Sequence, residues 1–190
     1  YMFVHDKIRT VIYAELSEAR RRVFHRRAFE MLGEHAAPAD MIRHAFQAGL
    51  LSDAVKASIA AADKAMAVFA IRDAISYYEQ AQHLLQQHAP DPAHQVDISI
   101  SQRWHLWASL GRAYVVSADW HAAQLNYTAM LAFARSCIEP IMECEALVCL
   151  ANVALHQSFD LKTASALLQQ ALTVAQTSAA PAALAQTEWN

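Results

Sequence analysis

Apolar positions recur along this chain at helical rather than strand spacing almost everywhere. In "DKIRTVIYAEL", Ile8, Val11, Ile12 and Leu16 share one stripe. Ser17 then stands where a hydroxyl caps a following helix, expected to run to about Leu32 with Val23, Phe24, Ala28, Met31 and Leu32 on its buried side. The same spacing predicts helices near 39–48, 52–69, 71–88, 100–117, 120–137, 140–158, 161–177 and 182–188. Ser52, Asp119 and Asp160 fall at N-cap positions. Pro140 and Pro181 fall in first turns, where a missing N–H costs nothing. Residues 1–4, "YMFV", predict a short strand, and "HAPDPAHQ" at 88–95 is the clear break. The expected organisation is an N-terminal segment over 1–35, degenerate helical repeats over 36–88, and a second repeat array over 96–190. That array is expected to be incomplete, because "APAALAQTEWN" starts a helix that stops early.

Composition sharpens this picture. Glycine occurs only at 33, 49 and 111, whereas there are 40 alanines. Alanine is the best helix former and glycine is what tight β-hairpins need, so an all-α fold is expected. A hydrophobic fraction of 55% excludes a disordered chain. The net charge of −3 gives no bulk attraction to nucleic acid or anionic membrane. No apolar run approaches the roughly 18 residues of a membrane span. Cys137, Cys144 and Cys149 form no disulfide framework and read as small buried hydrophobes in a reducing cytoplasm. Tyr1 in place of Met leads us to expect a segment of a longer protein.

Helices of similar length joined by short loops call for a repeat search. "WASLGRAY" reads Trp107-x2-Leu110-Gly111-x2-Tyr114, followed by Ala123 and Tyr127. This resembles the signature of the tetratricopeptide repeat (TPR), with Tyr127 replacing the usual Phe. Gly111 and Ala123 are small where two helices of a hairpin cross, and the larger residues fill the space around them. A weaker copy, Leu147-x2-Leu150-Ala151-x2-Ala154 with Ala164, Leu168 and Ala171, follows about 40 residues later, against a usual period of about 34. Ala54 and the Ala74, Tyr78, Ala81 series look like similar contacts upstream. The expected architecture is a right-handed solenoid of antiparallel helix hairpins.

The first third carries a second resemblance. Phe3, His5-Asp6, Ile8-Arg9, Tyr13, Leu16-Ser17, Arg20 to Arg22 and His25-Arg26-Arg27 resemble the join between the ATPase module and the helical arm of bacterial STAND-type signalling ATPases. Such proteins include LuxR-type activators, antibiotic-pathway regulators and multidomain cyclases or kinases. About 30 residues carry the match. The resemblance implies a P-loop ATPase and a winged-helix module upstream, with this chain starting at the last strand of that module. ATP is thereby implied for the upstream domain alone. This chain contains no G-x-x-x-x-G-K-[ST], and we expect it to hold no cofactor.

Candidate chemistry is sparse. Arg20, Arg21, Arg22, Arg26 and Arg27 crowd one helix, yet residues 1–35 hold seven Lys/Arg against five Asp/Glu. With so small an excess and no interleaved aromatic platform, direct nucleic-acid contact is not expected; a solvated connector helix is. His5-Asp6 lacks the further ligands of a metal-dependent hydrolase, and Asp6 reads as a helix cap. No His pair has H-E-x-x-H spacing, so no metal site is expected. No nucleophile–base constellation stands out, so no catalytic residue is assigned. The expected site is the groove lined by the first helix of each hairpin, at His105, Arg112, Glu145, Asn152 and His156. Arg112 is suited to grip a carboxylate, and Asn152 and His156 stand one turn apart. The expected function is non-catalytic binding of a protein or peptide, a small effector, or the protein's own ATPase module. A free-standing TPR adaptor and a regulatory segment of a cyclase or kinase are the alternatives.

Overall fold

A computed structural model describes residues 6–32, 36–87 and 96–178. Every regular element among them is an α-helix: α1 (Asp6–Glu15), α2 (Glu18–Met31), α3 (Pro38–Gln47), α4 (Leu51–Ala67), α5 (Ile71–Gln87), α6 (Ile100–Val116), α7 (Trp120–Cys137), α8 (Pro140–Ser158) and α9 (Leu161–Thr177). The spacing-based boundaries agree to within one or two residues. The strand expected at 1–4, the break at 88–95 and the helix at 182–188 with Pro181 lie outside the described residues.

The helix ends explain the short connections. Asp119 and Asp160 cap α7 and α9, their carboxylates accepting from the Ala122 and Thr163 amides at 3.0 Å. Ser99 forms a capping box with Gln102 at the start of α6. Two expected caps differ. Ser17 has extended backbone before α2, but its hydroxyl makes no cap bond. Ser52 lies inside α4, which begins one residue earlier, and its Oγ accepts from the Asp97 amide at 2.9 Å. At the other ends, Gly49, Phe69, Ala118 and Ile138 take left-handed backbone. In each case the next amide bonds back to the carbonyl five residues earlier, as in Leu50 to Ala45 and Glu139 to Ala134. The next helix then starts within two residues, which makes neighbours antiparallel.

The chain divides into two compact units. One takes in the residues up to Ala61 together with Gln80–Asp97; the other takes in Ala62–Glu79 and the residues from Ile98 onward. In the first unit α2 packs on α3. The buried residue of α2 is His25, not the predicted apolar stripe. Val23 and Phe24 are half exposed and Met31 is 87% exposed. The expected buried side of this helix is therefore corrected: α3 packs against the face that carries His25, and Tyr13 of α1 reaches the same imidazole.

In the second unit α6, α7, α8 and α9 pack in sequence order. Ala123, Tyr127, Met130, Ala134, Met142, Ala146, Leu150 and Val153 form its core, with Trp107 and Phe133 rings against it 4.7 Å apart. Gly111 seats the α6–α7 crossing: a methyl group there would lie 2.3 Å from two ring carbons of Tyr127. The Asn126 side chain locks the same crossing by donating to the Trp107 carbonyl at 2.7 Å. Helix α8 lies between α7 and α9 and buries residues all round, Met142, Cys144, Leu147 and Val153 among them. All three cysteines are free thiols, of which Cys144 is buried.

Candidate interaction site

Helix α6 carries polar groups toward its neighbours on two sides. Toward α4 and α5, Asp63 is the hub. Its carboxylate accepts from the Tyr78 hydroxyl at 2.5 Å and faces His105 Nε2 at 2.9 and 3.0 Å. Nearer the end of α6 the Tyr114 hydroxyl donates to Glu79 at 2.7 Å. Burial, and next the carboxylate each one serves, hold both phenols well above their usual range. They are neutral donors at any physiological pH.

Toward α7 and α8, the Tyr127 hydroxyl meets the Cys149 thiol, and the Trp104 indole N–H donates to Glu145. Burial first, then the Glu145 charge, pushes the Cys149 thiol up to about 11. A thiol held protonated is no nucleophile, so the one cysteine beside a polar cluster is not poised for covalent chemistry.

Arg112 stands between these two sets. Its charge reaches Tyr78 on one side and Tyr127 and Cys149 on the other, yet it is exposed and makes no ion pair or side-chain hydrogen bond among the described residues. Of the predicted groove residues, His105, Arg112 and Glu145 are thus brought around one polar surface. His105 and Glu145 are already engaged, by Asp63 and Trp104. Asn152 and His156 lie further along α8. His156 stacks on the Trp120 ring, centroids 5.6 Å apart, and Asn152 is exposed. The signature residues Leu110, Gly111, Ala123 and Tyr127 are buried, whereas Trp107 and Tyr114 are half-buried.

The other unit holds a polar chain, centred on the buried His25, that the sequence did not disclose. Tyr13 Oη lies 2.8 Å from His25 Nε2, and His25 Nδ1 lies 2.8 Å from His44 Nδ1. Arg43 approaches His44 Nε2 at 3.4 Å. A guanidinium only donates. Protons on His44 Nδ1 and His25 Nε2 therefore let each link pair one donor with one acceptor. Burial lowers both imidazole pKa values, with His44 and Arg43 adding to the effect on His25 and Arg43 to that on His44; Asp40 opposes it at His44.

The arginines of α2 are solvated in part. Arg22 pairs with Glu18 at 2.5 Å. Arg21 donates to the Ala14 carbonyl at 2.7 Å and lies 4.9 Å above the Tyr13 ring. Arg20, Arg26 and Arg27 make no ion pair among the described residues.

Among the described residues no group of three His, Cys, Asp or Glu side chains is arranged to hold a metal, and no helix is long and apolar enough to cross a membrane. Neither a protein-family model nor a curated protein sequence matches this chain significantly.

Proposed function

We propose that this chain is a non-catalytic, TPR-like interaction and effector-sensing arm of a larger ATP-dependent signalling or transcriptional regulator in the cytoplasm. A protein or peptide, or a small anionic effector, docks on the surface around Arg112. Its preference for one conformation of the whole protein then biases the on/off equilibrium. The observation that carries this reading is the exposed guanidinium of Arg112, which has no ion-pair partner among the described residues and stands beside the Gly111–Tyr127 crossing. An exposed guanidinium with no ion-pair partner among the described residues suits recognition of a carboxylate. ATP belongs to an upstream module. That module also has a surface to rest on: α1 and α2 expose Val11, Ile12, Phe24 and Met31, which a winged-helix neighbour would cover.

Two experiments test the two halves of the proposal. Sequencing the coding DNA on both sides should reveal a Walker A motif upstream; a start codon just before Tyr1 would leave a free-standing adaptor instead. A peptide array probed with the wild-type chain and with Arg112→Ala should show ligands that the variant loses. An identical array pattern for both would remove Arg112 from the site.

A further inference from the structure

We infer that the cleft between α2 and the α3–α4 turn is a docking site for an acidic peptide segment, one in which carboxylates alternate with aliphatic side chains. This site lies wholly within the first unit and does not depend on the Arg112 surface. Its volume is about 790 Å³, within the size range of small-ligand pockets.

The lining is amphipathic. One wall is the arginine face of α2, and the other is the turn that follows α3. Val23, Phe46 and Leu51 supply apolar surface, and Val23 and Phe46 are about half exposed although they are large. Arg22 is neutralised by Glu18, and Arg21 is tied to α1. Arg26 and Arg27 have no partner among the described residues, even though Glu30 follows each within one helical turn and also lines the cleft. A partner carboxylate would meet these two guanidiniums while an aliphatic neighbour covered Val23 and Phe46. Arginine binds a carboxylate through two parallel N–H bonds, which adds geometry to charge.

A nucleic-acid ligand fits the cleft less well. From Arg21 to Arg27 the helix rises only about 9 Å, room for very few phosphates. Glu18 and Glu30 flank the arginines with like charge to a phosphate strand. Phe46 is the sole aromatic in the lining, so no succession of rings is offered to successive bases.

The test is fluorescence anisotropy with a labelled twelve-residue peptide of alternating Glu and Leu pairs. Its Glu→Gln counterpart and a single-stranded DNA of similar length serve as competing probes. The acidic peptide should bind the wild-type chain and weaken as salt is raised. Arg26→Ala and Arg27→Ala should each weaken it about ten-fold, and Phe46→Ala should weaken it without changing the salt dependence. These side chains are exposed, and unchanged helical circular dichroism would show that each variant keeps its fold. Equal binding of the Gln peptide, indifference to both arginine substitutions, or tighter binding of the DNA would each overturn the proposal.

Discussion

Gly111→Ala probes the central packing claim directly. A helix interior ordinarily gains about 1 kcal/mol when glycine becomes alanine. Here the new methyl group would lie 2.3 Å from Cε1 and Cζ of Tyr127 and 2.8 Å from its hydroxyl. Carbon atoms in contact prefer about 3.5–4.0 Å, so the ring must move by more than 1 Å or the helices must part. The ring cannot swing into solvent: Tyr127 is 4% exposed and packed among Met130, Ala108 and their neighbours. Its hydroxyl is also engaged with Cys149. Overpacking of this kind costs about 1–3 kcal/mol, and a clash with a rigid ring belongs at the upper end. After the helix gain is offset, a net loss of about 2 kcal/mol remains. For a chain of this size that corresponds to a fall of about 4–8 °C in Tm.

The assay is chemical unfolding followed by tryptophan fluorescence. Three of the four tryptophans, Trp104, Trp107 and Trp120, lie on α6 and α7, so most of the signal comes from the two helices of this crossing. The decisive comparison is a double-mutant cycle with Tyr127→Leu. Removing the ring removes the clash, and Gly111→Ala in that background should be neutral or stabilising by up to about 1 kcal/mol. A coupling energy of about 2–3 kcal/mol is therefore expected. If Gly111→Ala stabilises the chain with Tyr127 present, the reasoning about this crossing is refuted.

The remaining predictions concern the buried imidazoles and the helix ends. Burial lowers the pKa of His25 and His44, so around that range the folded state binds fewer protons than the unfolded state. Their contribution to stability is present above the unfolded pKa of about 6.5 and is lost as pH falls below it. NMR titration should place both imidazoles below 6.5, and His44→Gln should flatten the fall in stability between about pH 7 and 5. A midpoint at or above 6.5 for either would sink this reading. Ile138 has left-handed backbone and is 86% exposed, so Ile138→Gly relieves strain and loses almost no packing. A gain of about 0.5–1 kcal/mol is expected by urea unfolding; a loss would mean that the side chain is packed rather than free. Asp119→Ala removes the cap of α7 and should cost about 1 kcal/mol in the same assay.

The sequence disclosed what is decided within one turn of helix, and missed what is decided between helices. Asp119 and Asp160 could be placed as caps because the amide that each binds lies three residues away. Gly111 and Tyr127 were legible because a known spacing linked them across one turn. His25 and His44 are nineteen residues apart on different helices, and no periodicity connects them. The same blindness misplaced the buried side of α2, where apolar residues were assumed to face inward. Val23, Phe24 and Met31 are left out because α1 and α3 meet the histidine face instead. The left-handed residues just after helix ends went unread for the opposite reason. Local rules ask for glycine at a left-handed terminus, but Phe69, Ala118, Ile138 and Phe159 hold that conformation. Each costs roughly 1–2 kcal/mol and persists only if surrounding structure over-determines it. Helices joined by connections of only two or three residues supply that constraint. Strained, exposed turns are thus a consequence of tight helix-on-helix stacking, and the stacking that tolerates them is the same that makes Gly111 irreplaceable.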